Sequence, residues 1–285
     1  MLTIQFKDTQ LCEAFYDQLC LSLHTFVGDK EFAFIEDKGD HSFLKIDLPC
    51  LKKNGANTSQ VASVLTNVTI KEKLPLWLRD WVKEGFYYED PYEVEAIVEY
   101  AKQLFLKGSN EVPLKVSFKK WQHGIYKLYD QFIYHSLQFS FDSFLRFRLR
   151  EKKEELVEVV EKAIDEYKLE HDYQVMVASC RDYLQAHEPR IHTIHLLLDQ
   201  SIAMYDNHGR QITEDELRKW CSNEISFEAP LPFSEWVISP TVSLAPKKLI
   251  IYPNHNYEGL LQTLFSIFEE RIEIRSEENP SILKA

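Results

Sequence analysis

The residues best suited to bind an anion are three arginines at spacings of two, Arg146, Arg148 and Arg150, followed by Lys152 and Lys153. Guanidinium groups match the geometry of phosphate and carboxylate groups, so this basic run could contact an anion or an acidic partner. A spacing of two distributes the side chains around a helix instead of along one side. The spacing therefore favours the simpler interpretation, a solvated helix face that pairs with neighbouring glutamates.

Three histidines, His187, His192 and His195, resemble a set of metal ligands. We expect residues 191–199 to form a strand, in which His192 and His195 point to opposite faces. Asp199 shares a face with His195, but the strand separates the two by about 13 Å, too far for one ion. The pattern favours ordinary polar positions on a half-exposed strand.

Three acidic residues, Asp199, Asp206 and Glu214, could indicate a metal-dependent hydrolase. Residues 206–209, Asp-Asn-His-Gly, are instead typical of a turn in which Asp and Asn bond to their own backbone. We prefer the turn to a catalytic role.

Trp77 and Trp81, four residues apart, could stack on nucleic-acid bases. Only Arg79 and Lys83 accompany them, so a place in the core is the better interpretation. No glycine spacing matches a phosphate-binding loop. The net charge of −12 also argues against a general nucleic-acid binder.

The five cysteines are odd in number and form no C-x-x-C pair, which predicts reduced thiols in a cytosolic protein; they are Cys12, Cys20, Cys50, Cys180 and Cys221. Cys180 shares a helix face with Met176 and Leu184, and we expect a buried hydrophobic side chain there, not a nucleophile. No signal peptide begins the chain and no apolar run is long enough to span a bilayer, so we expect a cytoplasmic protein without membrane insertion.

The central stretch, residues 141–186, is predicted to form two helices that organise the chain. Apolar residues from Leu149 to Tyr167 recur at helical spacing, which predicts a helix from Ser143 to about Glu170. A second helix is predicted for 172–186. Before them, residues 114–140 are rich in aromatic side chains and suit a helix better than a strand.

On either side of the central stretch, the spacing of apolar residues alternates between strand-like and helix-like patterns. Near the start, the pattern predicts a strand at 2–6, a helix from Asp8, and strands at 32–36 and 43–48; helices follow over 58–107, with an interruption at Pro75. Near the end, the pattern predicts strands at 191–199, 202–205, 248–252 and 271–275. It also predicts a short helix that begins with a capping box at 213–216, and helices at 235–244 and 257–270. Strand, helix and strand at the close suggest a small parallel unit with a right-handed crossover.

Several segments resemble the YtxC-like family of sporulation proteins, with the similarity covering about residues 130–275: Phe144–Leu149 and the Glu-rich helix after it, Glu170–Tyr173, Gln185–Leu196, Ser243–Ile251 and Phe268–Ile274. The resemblance implies a cytoplasmic protein of endospore-forming bacteria, grouped with sporulation and without an assigned activity. It carries over no catalytic residue.

We therefore predict an α+β fold with an N-terminal βαββ layer, central long helices and a small C-terminal α/β unit. The expected regions are 1–110, 111–186, 187–275 and a polar tail at 276–285. The leading hypothesis is a non-enzymatic sporulation protein that acts through protein contacts, without a cofactor or metal; self-association stays open.

Two alternatives are kept. One is a nucleotide- or metal-dependent enzyme with its site at the carboxyl ends of the C-terminal strands, near Asp199, Tyr252 and Asn254. The other is nucleic-acid binding through Arg146, Arg148 and Arg150.

Overall fold

The computed structural model describes residues 1–28, 31–108, 112–135, 137–199, 202–220, 237–253 and 257–275. The chain divides into two compact units, Met1–Tyr167 and Lys168–Ala285. Each combines helices with one four-stranded mixed sheet. The predicted α+β class is confirmed.

The sheet of the first unit has the order β2-β3-β1-β4. Its strands are β1 (Leu2–Phe6), β2 (Ala33–Asp37), β3 (Ser42–Ile46) and β4 (Gln138–Ser140). Strand β1 is antiparallel to β3 and parallel to β4. Leu2, Ile4 and Phe6 are fully buried, as alternation requires. The predicted βαββ layer is present, but its fourth strand comes from a segment that was predicted to be helical.

The helices of this unit are α1 (Thr9–Val27), α2 (Leu48–Lys53), α3 (Thr58–Asp80), α4 (Pro91–Lys107), α5 (Phe118–His135), α6 (Phe141–Arg148) and α7 (Arg150–Glu154). A polar cap residue precedes α1, α2, α3, α4 and α6. Asp8 accepts from the N–H groups of Gln10 and Leu11. Asn57 and Gln60 form a capping box at the start of α3. These bonds satisfy donors that the first helical turn leaves open.

Pro75 does not end α3, contrary to the sequence prediction. A proline inside a helix removes one backbone hydrogen bond and costs about 3 kcal/mol. Leu74, Trp77 and Leu78 are buried on either side of it, and their packing outweighs that cost. The helix continues to Asp80 and into a π-helix at Trp81–Gly85.

The central stretch also differs from its prediction. Instead of a helix from 143 to 170 and another from 172, the chain breaks near Leu149 and Leu156, both fully buried, and then forms one helix, α8 (Val157–Ala186). No glycine or proline separates Glu170 from Asp172, so nothing local stops the helix there.

The break after α7 is held by two indole groups. The N–H of Leu156 bonds to the carbonyl of Lys153 at 3.2 Å, three residues back. Trp121 donates its Nε1–H to the Lys152 carbonyl, and Trp81 donates to the Lys153 carbonyl, both at 2.8 Å. The Trp121 N–H satisfies a carbonyl at the end of α7, and the Trp81 N–H is a second donor to the Lys153 carbonyl, beside the Leu156 N–H.

The second unit contains the predicted strand, helix and strand near the end of the chain. Its sheet has the order β6-β5-β7-β8, with β5, β7 and β8 parallel and β6 antiparallel. The strands are β5 (Thr193–Leu198), β6 (Ile202–Tyr205), β7 (Lys248–Tyr252) and β8 (Ile272–Ile274), and the helices are α9 (Glu214–Trp220), α10 (Ser239–Leu244) and α11 (Glu258–Phe268). Ile194, Leu196 and Leu198 pack on one side of the sheet with α11 and the last part of α8.

Candidate functional site

The last turn of α6 exposes an aromatic side chain between two arginines. Arg146, Phe147 and Arg148 are all exposed, and Phe147 has 73% of its surface open. We call these three residues the Arg–Phe patch. Phe141 and Phe144 of the same helix are buried, so α6 passes from the core to the exposed surface at its last turn.

Both arginines of the patch lie over aromatic rings. The guanidinium carbon of Arg146 is 5.7 Å from the centroid of the Phe147 ring, and that of Arg148 is 5.5 Å from the centroid of the Phe132 ring. Such contacts restrict a flexible side chain at modest energetic gain. The patch therefore presents two oriented cations around one exposed apolar ring.

The rest of the basic run is paired with acidic groups. Arg150 donates to Glu154 at 2.8 Å, Lys152 to Glu155 at 2.6 Å, and Lys153 to Asp80 at 2.7 Å. These pairs match the interpretation of a helix face neutralised by its neighbours. The run thus separates into a paired part and the Arg–Phe patch.

The two predicted core tryptophans are part of the interior. Trp77 is 7% exposed and packs edge-on against Trp121, with ring centroids 6.4 Å apart. Trp81 is half-buried and uses its indole N–H at the α7 break. The core prediction is confirmed for Trp77, and Trp81 is a partly buried residue that packs against the core.

A second candidate lies in the other unit, on one face of its sheet and toward the carboxyl ends of β7 and β8. His195 in β5 is 4% exposed, and its Nδ1 lies 3.2 Å from the hydroxyl of Tyr252 at the end of β7. Arg275 follows β8, and its side chain donates to Glu273 at 2.7 Å and lies near Tyr252. We call His195, Tyr252, Glu273 and Arg275 the sheet-face cluster.

Charges around this cluster favour a neutral His195. Burial lowers the pKa of His195, and the nearby Arg275 guanidinium lowers it further, against smaller opposing effects of Asp206 and Glu273. Lys248 and Arg275 both bond to Glu273 and hold the pKa of that carboxyl below its usual range. The cluster can accept or donate hydrogen bonds at neutral pH, while its ionic groups neutralise one another.

The lowered pKa of His195 makes the stability of this unit sensitive to acid. The unfolded chain binds a proton near the ordinary pKa of 6.5, before the folded chain does, so stability is fully present above that pH and is lost as the pH falls toward the folded pKa. In urea titrations at about pH 8 and about pH 5.5, we expect His195→Phe to reduce this loss. An equal loss of unfolding free energy between these two pH values in the native chain and in His195→Phe would contradict the lowered pKa of His195.

The remaining histidines are not brought together. The ring of His187 stacks on that of Tyr183 at 3.9 Å, and its Nδ1 contacts the Tyr183 carbonyl. His192 is exposed and lies 3.0 Å from Thr193 Oγ1. Within the ranges that the structure describes, no three His, Cys, Asp or Glu side chains are placed to hold a metal ion.

The acidic residues follow turn and cap chemistry. Asp206 accepts from the backbone N–H groups of His208 and Arg210, which confirms the predicted turn. Thr213 and Glu216 form the predicted capping box at the start of α9, where Glu214 is the first residue. Asp199 is an exposed residue after β5. Asn254 lies outside the described residues.

The buried cysteines have unreactive thiols. Cys12 and Cys180 are fully buried, and burial raises the pKa of each to about 12. The prediction that Cys180 acts as a buried hydrophobic side chain is confirmed. Cys221 lies outside the described residues.

A comparison with known protein families shows to which family the chain belongs. A model of the YtxC-like family matches residues 59–273. The chain belongs to the YtxC-like family. It is 25% identical to the uncharacterized protein YtxC of Bacillus subtilis (strain 168) over 193 residues, which are 68% of each chain. No solved structure matches it.

The region shared with the YtxC-like family includes both candidate surfaces almost completely. It contains the Arg–Phe patch, His195, Tyr252 and Glu273, and it ends two residues before Arg275. Strands β1 to β3 precede it. Among the described residues of this YtxC-like chain, no helix is both long and apolar enough to cross a membrane.

Proposed function

We propose that this YtxC-like protein acts in sporulation, in the cytoplasm, by binding a protein partner through the Arg–Phe patch. The observation that carries the proposal is Phe147, which leaves 73% of a phenylalanine side chain in water between two exposed arginines. The chain has a net charge of −12, so a local positive surface is a departure from its average. The family resemblance supports the sporulation setting.

The chemistry of the patch suits an acidic partner surface with an apolar pocket. Aromatic residues and arginine are enriched in protein interfaces and supply a large share of binding energy. Phe147 would bury its ring in the partner, and Arg146 and Arg148 would each bond to a carboxylate. Since both guanidinium groups already lie over rings, less side-chain freedom is lost on binding.

The test is a pull-down from sporulating cells with the native chain and with Phe147→Ala and Arg148→Glu. We expect recovery of a specific partner to fall by about tenfold or more in each variant, the loss typical of an interface anchor. Leu21→Ala is the matched control, because Leu21 is also 73% exposed but lies on α1.

Two results would contradict the proposal. One is the absence of any specific partner in the native pull-down. The other is equal recovery by the two patch variants and by Leu21→Ala.

A second candidate function rests on the sheet-face cluster. Ligands of open α/β sheets bind at the carboxyl ends of parallel strands, which is where Tyr252 and Arg275 meet beside His195. This arrangement favours a nucleotide- or metal-dependent activity as the alternative. Thermal-shift measurements with a panel of nucleotides and divalent cations test it, and the absence of any shift across the panel would exclude it.

A further inference from the structure

A groove on the first unit lies between α3 and α4, far along the chain from the Arg–Phe patch. It has a volume of about 350 Å³, and its floor is formed by Ile70, Leu74 and Pro75 of α3 and by Leu106 of α4. Leu106 is 49% exposed. Asn67 and Gln122 also line it and share a side-chain hydrogen bond of 3.2 Å. The groove therefore combines an apolar floor with polar side chains in its wall.

The charge of this groove opposes that of the chain. Lys71 and Lys102 line it, and no acidic residue is among the described residues that form its wall. The Lys71 side chain is 81% exposed, with Glu72 at 3.9 Å, and Lys102 is 3.3 Å from Glu99 outside the wall. In a chain of net charge −12, these two ammonium groups favour an occupant with carboxylates beside its apolar part.

Pro75 adds a backbone acceptor to the same face. Proline has no N–H, so the carbonyl of Lys71 lacks the donor that residue i+4 supplies in an uninterrupted helix. Lys71 and Pro75 both line the groove, so this carbonyl belongs to a residue of the groove wall. An incoming segment can donate a backbone N–H to it, as peptides do when they use main-chain bonds.

From the apolar floor, the two lysines and the Lys71 carbonyl, we infer that the groove between α3 and α4 binds an acidic peptide segment of another protein. One bulky aliphatic or aromatic side chain of that segment fills the space over Leu74 and Leu106. Asp or Glu residues beside it pair with Lys71 and Lys102. This surface is separate from the Arg–Phe patch, so the inference extends the proposed function and does not depend on it.

The test is selection of short random peptides displayed on phage against the full chain, followed by fluorescence anisotropy of the enriched peptides. We expect enriched peptides to carry a large apolar residue next to Asp or Glu. Lys71→Glu and Leu106→Trp should each weaken their binding by about tenfold or more, because one reverses a charge and the other fills the groove. Both positions are exposed, so the variants should keep the native circular dichroism spectrum.

Two variants serve as matched controls. Lys73→Glu makes the same charge change on α3 outside the groove wall, and Leu76→Trp makes a similar size change at a position 44% exposed; both should bind as the native chain does. Failure to enrich peptides, enrichment of basic peptides, or unchanged binding by Lys71→Glu and Leu106→Trp would each overturn the inference. Self-association of the chain that Leu106→Trp abolishes would also overturn it, because a second copy would then be the occupant.

Discussion

Replacing Trp121 with alanine is expected to lower the free energy of unfolding of the Met1–Tyr167 unit by about 3–5 kcal/mol. Trp121 is fully buried, and its ring packs against Phe105 at 5.3 Å, Phe118 at 6.2 Å and Trp77 at 6.4 Å. Alanine would leave a cavity among three other aromatic rings. Urea unfolding followed by circular dichroism measures the change.

Trp121→Phe separates the hydrogen bond from the packing. Phenylalanine keeps an aromatic ring but cannot donate to the Lys152 carbonyl, which Trp121 holds at 2.8 Å. An unsatisfied carbonyl costs about 1–3 kcal/mol, so this variant should fall between the native chain and Trp121→Ala. If Trp121→Phe equalled the native chain in stability, the indole bond would have no role at the α7 break.

Replacing Phe141 with alanine should have a comparable effect, about 3–5 kcal/mol. Phe141 is fully buried, and its ring centroid is 5.0 Å from that of Phe6 in β1 and 5.0 Å from that of Phe15 in α1. It is also the first residue of α6. Its loss removes the anchor of the helix that carries the Arg–Phe patch, so partner binding should weaken together with stability.

Phe147→Ala is the control for this prediction, because it removes the same side chain from the same helix at an exposed position. Its stability should stay within about 0.5 kcal/mol of the native chain, while its partner binding falls. A large loss of stability in Phe147→Ala, or none in Phe141→Ala, would contradict the assignment of Phe141 to the core and of Phe147 to the surface.

Local signals predicted much of the fold. Alternation in residues 2–6 identified strand β1, and the apolar run at 248–252 identified strand β7. The prediction of a helix from about Asp8 and the capping box at Thr213 identified helix starts. These features depend on a few neighbouring residues, which the sequence displays directly.

The errors arose where distant packing decides the local conformation. Strand β4 has three residues, and its partner β1 lies more than a hundred positions earlier. The continuation of α3 through Pro75 depends on burial of Leu74 and Leu78. The break after α7 involves Trp81 and Trp121, which are remote in sequence from Lys152 and Lys153.

The candidate site was foreseen in part. The arginine run was visible, but Phe147 was not singled out, although an aromatic residue flanked on both sides by arginine was the available signal. Tyr252 was named as part of a possible strand-end site. Its contact with His195 could not be foreseen, because it requires the register in which Leu197 lies opposite Tyr252.

The acceptors of the two indole bonds at residues 152 and 153 are main-chain atoms. Any amino acid at either position has the same backbone carbonyl, so evolution can change these two side chains while the hydrogen bonds at the break after α7 are kept. The donor positions are more restricted, because tryptophan is the one side chain that combines a large ring with an N–H at that distance from the backbone. A homologue that lacks either tryptophan must therefore stabilise the break after α7 through other contacts, or connect α7 and α8 differently.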